Sequence, residues 1–140
     1  MKAEIGPTDD IATCHALRRT VFVEEQGVSL AEELDGCDAE AHHILAQMQG
    51  VPMGTARILL KGETGKIGRV CVLSQYRGTG LGAALVLACM DHLRHLPGLI
   101  RAELGAQTHA LGFYEQLGFK AYGPVYDDAG LAHRDMERAL

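Results

Sequence analysis

The chain has 140 residues, of which 47% are hydrophobic and 22% charged, and this composition predicts one soluble globular domain spanning residues 1–140. Its formal net charge of −5 argues against a general binder of nucleic acid or of anionic membranes. Because the sequence has neither an apolar run of about 18 residues nor an apolar signal segment at its N-terminus, we expect no membrane association.

Taken in chain order, the predicted elements alternate between strands and helices. A short strand in KAEI precedes a helix over about 9–25, with Thr8 as its N-cap, and an acidic loop follows Gly27. Two strands around QGVP form a hairpin, and KIGRVCVL is the next strand. A helix over about 78–95, the strand LIRAEL, the helix AQTHALGFYEQL and two final strands complete the chain. The order β-α-β-β-β-α-β-α-β-β predicts an α/β domain with a mixed sheet.

The four cysteines are scattered and form no C-x-x-C pair, so the sequence predicts neither a zinc site nor a disulfide framework and favours a cytoplasmic location. The histidines show no metal spacing either. His92 and His95 lie three residues apart in a predicted helix, but no third ligand is nearby. We therefore expect no bound metal.

The segment CVLSQYRGTGLGAALV, residues 71–86, places an arginine and three glycines between a β-rich segment and a helix. Gly78, Gly80 and Gly82 allow the backbone to bend sharply and to approach a ligand closely. The first N–H groups of the helix have no intrahelical partners and lie at the positive end of its dipole. With the charge of Arg77, these groups predict a phosphate or pyrophosphate site in preference to a merely tight turn.

Two other phosphate-binding motifs fit this segment less well. Gly78, Gly80 and Ala83 satisfy the dinucleotide pattern G-x-G-x-x-A, with Glu103 about where a ribose-binding acid would lie. However, SQYR separates the strand from the first glycine, and only 37 residues follow Glu103, too few for the remaining βαβ units. A P-loop is excluded because no Gly-Lys-Ser/Thr follows the glycines.

The sequence RGTGLG matches the motif R/Q-x-x-G-x-G/A of the GNAT superfamily of N-acetyltransferases, which the chain resembles over nearly its whole length. The preceding VCVLSQYRG resembles the superfamily's V-x-P-x-Y-R-G, with Ser74 in place of proline. Downstream, QTHALGFYEQLGF resembles N-x-x-A-x-x-F-Y-x-x-x-G-F, with Gln107 replacing asparagine. The segments LRRTVFVEEQGV, EELDGCD and AHHILA further resemble a small bacterial branch described as ElaA-like.

This resemblance implies a single GNAT-like domain, with acetyl-CoA as co-substrate and direct acetyl transfer to a primary amine in a ternary complex. The main chain of residues 77–82 would bind the pyrophosphate, and the pantetheine arm would pair beside the strand ending at Val72. A backbone N–H near Val72 would polarise the thioester carbonyl. The expected coenzyme-binding residues are Val70, Val72, Arg77, Gly78, Thr79, Gly80, Leu81, Gly82, Gln107 and Phe113.

Acetyl transfer needs a neutral amine, a donor for the oxyanion and a proton for the departing thiolate. The resemblance makes Tyr114 the candidate acid, whereas the pattern alone favours core aromatics at Phe113 and Tyr114. Glu25 is the first candidate for the base, acting directly or through water, against the alternative of a solvated acidic loop. His43 and His133 are alternative bases and candidate substrate-binding residues.

The acidic loop after Gly27 suits a cationic acceptor by its sign. Arg57, Arg69 and Arg101 lie on predicted strands, where they either pair with acids at the surface or reach a substrate carboxylate or phosphate. Cys71 is not expected to act as a nucleophile, because a buried strand thiol is inert. We expect a small-molecule amine as acceptor and, from the frequency of symmetric assemblies, a homodimer. The alternative function is a non-catalytic acyl-CoA-binding or regulatory module.

Overall fold

The computed structural model describes residues 3–140 and shows a seven-stranded mixed sheet with helices on both faces. Lys2, where the sequence predicts the first strand to begin, lies outside the described residues. The strands are β1 (Glu4–Thr8), β2 (His42–Met48), β3 (Val51–Lys61), β4 (Thr64–Val72), β5 (Arg101–Gln107), β6 (Lys120–Asp128) and β7 (Leu131–Ala139). The helices are α1 (Ile11–Arg18), α2 (Leu30–Glu33), α3 (Leu81–Arg94) and α4 (Leu111–Gln116), with a π-helix (Arg19–Glu25) continuing α1.

The strands lie in the order β1-β2-β3-β4-β5-β7-β6, and only β4 and β5 pair in parallel. This arrangement confirms the predicted α/β class, mixed sheet and order of elements, with α2 added inside the acidic loop. Two predicted boundaries are wrong: the N-cap of α1 is Asp10, because Thr8 ends β1, and the helix expected from residue 106 begins at Leu111, because Ala106 and Gln107 extend β5. Within the described part of the chain, no helix is long and apolar enough to cross a membrane.

The larger part of the core lies between α3 and the sheet, where one face of α3 buries Leu81, Leu85, Val86, Cys89, Met90 and Leu93. On the opposite face of the sheet, Leu17 of α1 and Val21 of the π-helix pack against Leu45 and Cys71. Burial raises the pKa of Cys71 to about 12. The thiol therefore stays protonated and unreactive at neutral pH, as the sequence predicts.

Strand β4 contains a β-bulge that changes which face its side chains occupy. Arg69 and Val70 lie together opposite a single β3 residue, Ala56. Ile67 packs in the α3 core before the bulge, and Val70 and Val72 pack there after it, so the alternation has shifted by one residue. The inserted residue, Arg69, takes a left-handed backbone conformation with φ of +51° and turns its side chain to the α1 face.

The parallel strands β4 and β5 separate soon after they begin to pair. Their register runs from Thr64 and Arg101 to Ile67 and Leu104. Beyond that point the strands diverge and leave a fork in the sheet. The carbonyl of Val72, at the end of β4, accepts a hydrogen bond from the side chain of Arg77 at 2.9 Å.

An arginine–carboxylate network fastens the acidic loop to the α1 face of the sheet. Arg18 and Glu33 are both almost completely buried and are joined at 2.5 Å. Arg57 holds Asp35 with two hydrogen bonds of 2.8 Å. The members of the network are Arg18, Glu33, Asp35, Asp38, Arg57 and Arg69. The expectation of a solvated loop that attracts cations is therefore wrong for Glu33, Asp35 and Asp38, because arginines pair with all three carboxylates.

Close packing of α3 on the sheet predicts that Gly54→Ala destabilises the fold. An ideal Cβ at Gly54 would lie 2.6 Å from the Cys71 carbonyl oxygen and 3.0 Å from Leu85 Cδ1. We expect a loss of about 2 kcal/mol in the free energy of unfolding, measured in urea. Gly6→Ala is the matched control, since no atom lies within 4 Å of its added Cβ. Equal stability of the two variants would contradict this account of the packing.

The network predicts a pH-dependent effect of Asp38→Asn. Burial acts to raise the Asp38 pKa, but hydrogen bonds from Arg18 and His15 and the charge of Arg18 outweigh it, so this pKa lies below its ordinary value of 3.8. A lowered carboxyl pKa stabilises the fold above about pH 4, and that contribution disappears as the pH falls further.

We therefore expect Asp38→Asn to lower the free energy of unfolding by about 3 kcal/mol at pH 7. Near pH 3 the free energies of unfolding of the variant and the unmodified protein should differ less. The measurement is urea unfolding at both pH values. The control, Asp9→Asn, alters an exposed side chain and should change little. If the difference in unfolding free energy between Asp38→Asn and the unmodified protein is as large at pH 3 as at pH 7, the lowered pKa of Asp38 is wrong.

Candidate active site

A cleft of about 520 Å³ lies at the fork between β4 and β5, on the α1 face. The ends of the two strands contribute Val70 and Gln107 to its floor. The π-helix and the segment after it form one side, and the β6–β7 hairpin forms the other. Polar and aromatic side chains that also line the cleft include Gln26, Glu32, Glu33, Asp35, Arg57, Lys66, Arg69, His109, Tyr114, Tyr126, Asp128 and His133.

A glycine-rich turn between β4 and α3 leaves the N-terminus of α3 open. Gly78 and Gly80 have φ of +78° and +85°, and no atom lies within 4 Å of an ideal Cβ at either position. No side chain caps the first turn of α3, which begins at Leu81. The Leu81 side chain is buried, so residue 81 offers only its main chain. The turn therefore presents uncapped N–H groups beside open space, an arrangement suited to an anionic group.

The other predicted coenzyme-binding side chains lie close to this turn. Phe113 is 40% exposed, and its Cζ lies 3.5 Å from an ideal Cβ at Gly82. Val72 approaches the same position to 4.0 Å. Thr79 is turned away, since its hydroxyl donates to the Tyr76 carbonyl at 2.7 Å. The turn, the end of β4 and α4 thus form one continuous surface.

Arg77 and Glu25 form an ion pair at this turn. The Arg77 Nη1 and Nη2 atoms each lie 2.9 Å from a Glu25 carboxylate oxygen, while Nε donates to Val72. Glu25 ends the π-helix and does not line the cleft. The structure therefore brings the first candidate base to the glycine-rich turn, where Arg77 holds its carboxylate.

His43 also lies away from the cleft. Strand alternation turns its ring to the α1 face, where the acidic loop covers it and leaves it 4% exposed. Its Nε2 lies 3.0 Å from the Asp38 carbonyl oxygen. Its position therefore gives no support to the predicted contact between His43 and the substrate.

Tyr114 lines the cleft and also packs against the core. Its ring meets Phe113 and Phe119 edge-on, with centroid distances of 4.9 and 6.1 Å. Burial, with a smaller contribution from Cys89, raises the pKa of Tyr114 to about 12. The hydroxyl is therefore protonated at neutral pH, which a proton donor requires.

His133 lies on β7 at the side of the cleft, with its tautomer fixed by a main-chain contact. Its Nδ1 is 2.8 Å from the Leu131 carbonyl oxygen. A carbonyl oxygen can only accept, so Nδ1 carries the proton, and in the neutral ring Nε2 keeps a lone pair. The ring stacks on Tyr126 with centroids 5.9 Å apart. The arrangement leaves one basic nitrogen available.

Gln107 links two walls of the cleft. Its Nε2 donates to Gln26 Oε1 at 3.0 Å, and its Oε1 lies 2.7 Å from His109 Nε2. Sequence reasoning did not identify Tyr126, which supports the His133 ring and donates to Asp135 at 2.7 Å. The sequence could have indicated Tyr126 through the turn at Ala129 and Gly130. A two-residue turn there makes Tyr126 the cross-strand neighbour of His133.

Comparisons with known proteins agree with this geometry. Residues 11–140 match the model of the acetyltransferase (GNAT) domain family. The chain is 32% identical over 138 residues to the N-acetyltransferase YjcF of Bacillus subtilis, covering 97% of this chain and 98% of YjcF. It is 34% identical over 129 residues to protein ElaA of Escherichia coli, covering 89% of this chain and 84% of ElaA.

Solved structures agree as well. The crystal structure of Escherichia coli ElaA matches with a TM-score of 0.85 at 30% identity, covering 97% of this chain and 99% of that chain. A Bacillus subtilis acetyltransferase solved in complex with CoA has the same fold, with a TM-score of 0.76 at 18% identity and 99% of each chain covered. The chain therefore belongs to the GNAT family of acetyltransferases, resembles ElaA in sequence and structure, and is an N-acetyltransferase.

Proposed function

We propose that this enzyme transfers an acetyl group from acetyl-CoA to the primary amine of a small molecule, by direct attack in a ternary complex. One observation supports the proposal: the open N-terminus of α3 and a cleft lined by Tyr114 and His133 both lie at the fork in the sheet. The first feature suits a pyrophosphate, and the second suits proton transfer to and from reacting groups.

Acetyl-CoA supplies an activated acetyl thioester when bound. The main chain of residues 78–82 would hold the pyrophosphate, with Arg77 able to contribute once it releases Glu25. The ends of β4 and β5, at Val70, Val72 and Gln107, would flank the arm, with Phe113 beside the turn. The open space at Gly78 and Gly80 supports this fit, because any larger residue would place its Cβ there. A main-chain N–H near Val72 would polarise the thioester carbonyl.

We assign the base to His133 and the acid to Tyr114. The amine nitrogen attacks the thioester carbon and passes a proton to Nε2 of His133, and the departing thiolate takes a proton from the Tyr114 hydroxyl. A C–N bond forms and a C–S bond breaks. His133 is preferred over Glu25 because it lines the cleft with a free nitrogen, whereas Glu25 is paired with Arg77.

We place the reaction in the cytoplasm. All four cysteines are free thiols, and Cys14, Cys71 and Cys89 are buried. Chains with unpaired thiols are typical of reducing compartments.

The glycine turn predicts selective binding of acetyl-CoA. Acetyl-CoA at about 100 times its dissociation constant should stabilise the protein by about 2.7 kcal/mol, whereas NAD should not, in a thermal-shift measurement. Gly80→Ala should abolish the shift, because the added Cβ enters the anion-binding space. Gly62→Ala is the matched control, since its φ of +56° imposes similar strain in a turn distant in sequence from α3. An equal shift with NAD would overturn the cofactor assignment.

The proton-transfer roles predict losses of turnover without loss of coenzyme binding. Tyr114→Phe and His133→Gln should each lower kcat by about 100-fold or more, measured by CoA release over a panel of amines. Both variants should keep the thermal shift with acetyl-CoA. The exposed His95, directly after the end of α3, provides the control, His95→Gln.

Two outcomes would contradict these assignments. If Glu25→Gln abolishes turnover while His133→Gln retains it, the base is Glu25. If the unmodified protein binds acetyl-CoA but acetylates no amine in the panel, the chain is a non-catalytic binding module.

A further inference from the structure

Arg69 occupies the inserted position of the β4 bulge at the expense of backbone strain. Three non-glycine residues within 3–140 have positive φ: Gln49 and Ala129 lie in hairpin turns, whereas Arg69 lies inside a strand. Glycine would form the bulge without this strain. Strained residues of this kind concentrate at ligand sites, so the strain suggests that the Arg69 side chain has a function.

The Arg69 guanidinium has weak partners. Its Nη2 is shared among the carbonyls of Glu32 and Glu33 and one oxygen of Asp35, at 3.2 to 3.3 Å. Its Nε is buried, makes no hydrogen bond, and lies 3.9 Å from the Glu33 carboxylate. Its Nη1 makes no hydrogen bond to any described residue and is not among the buried unpartnered atoms. Nη1 is therefore not fully buried, and Arg69 lines the cleft.

Stronger partners already hold the two carboxylates near Arg69. Arg57 binds both oxygens of Asp35 at 2.8 Å, and Arg18 binds Glu33 at 2.5 Å. Burial and the charge of Arg57 lower the pKa of Arg69, against the smaller opposing effect of Asp35 and Glu33. Arg69 thus makes the longest contacts of the three arginines in the network, although three arginines and three carboxylates balance in formal charge.

The remaining charges of the cleft do not neutralise Arg69. Lys66 lies on the same face of β4 and makes no close ion pair with any residue from 3 to 140; its neighbour in the β5 register is Glu103, whose carboxylate accepts from the Tyr122 hydroxyl. Of the other acids, Glu32 accepts from the Ser29 hydroxyl at 2.9 Å, and Asp128 lies exposed at the end of β6. The β4 side of the cleft therefore carries two cations that an anionic ligand would complement.

We propose that the amine acceptor of this enzyme also carries a carboxylate or phosphate, bound by Nη1 of Arg69 with Lys66 as a second positive charge. This inference rests on the proposed function and narrows its substrate class. The reacting amine lies toward His133 and Tyr114, so the acceptor is a compact molecule with an amine and an anion at separate ends.

The first test uses matched pairs of acceptors with the unmodified enzyme: O-phosphoethanolamine against ethanolamine, and β-alanine against propylamine. A hydrogen bond to a charged group corresponds to roughly 10- to 100-fold in affinity. We expect kcat/KM to favour the anionic member of at least one pair by about 10-fold or more. The two pairs distinguish phosphate from carboxylate. Inorganic phosphate should inhibit competitively against the acceptor at saturating acetyl-CoA.

The second test assigns the preference to Arg69. Arg69→Gln should raise KM for the anionic acceptor about 10-fold or more, with little change in kcat and no change for the neutral amine. Arg69→Lys should restore part of the preference. Arg101→Gln is the control, because Arg101 donates to Thr64 and does not line the cleft. The acetyl-CoA thermal shift confirms that each variant is folded.

Each result decides the question. If neutral amines are acetylated as well as their anionic counterparts, or if Arg69→Gln keeps the preference, the inference is wrong and the proposed function stands. If no amine of any kind is acetylated, the proposed function itself has failed.

Discussion

One extra residue in β4 sets the geometry of the whole site. Side chains of a strand alternate between two faces, so inserting Arg69 moves Cys71 to the α1 face and returns Val70 and Val72 to the α3 face. The bulge begins two residues beyond Ile67, the last β4 residue that pairs with β5. A bulge bends its strand and increases local twist, so the same insertion accounts for the divergence that opens the fork. The fork and the cleft share this origin.

Charge, more than apolar burial, holds the loop that borders the cleft. The helix α2 leaves Leu30 and Leu34 about 40% exposed, while its Glu33 is buried on Arg18. Buried ion pairs lose much of their Coulombic gain to desolvation. The network therefore fixes the position of the acidic loop while adding only modestly to the free energy of unfolding. That position matters because Asp35 and Glu33 are the carboxylates that lie nearest Arg69.

Local patterns in the sequence predicted the order of elements and the glycine turn. Both depend on residues close in the chain, such as Gly78, Gly80 and the helix that follows them. Of the residues expected from the sequence to bind coenzyme, those from 70 to 82 form one strand–turn–helix unit, whereas Gln107 and Phe113 belong to β5 and α4.

Contacts between distant residues lay beyond such patterns. The pair between Glu25 and Arg77 joins residues 52 positions apart, and nothing near Glu25 in sequence indicates it. The buried surroundings of His43 depend on a loop whose position the arginines determine. The sequence also contained no sign of the bulge. The residue with the left-handed backbone is Arg69, whereas the neighbouring Gly68, where a left-handed conformation would be expected, does not adopt one.

The bulge also separates two kinds of sequence change. Deleting residue 69 would exchange the faces of every later β4 side chain, including Val70 and Val72. Replacing it keeps the number of residues in the strand and alters one side chain that lines the cleft, provided the new residue tolerates a left-handed backbone. Substitution at this one position can therefore vary the lining of the cleft without changing the faces that the rest of β4 presents.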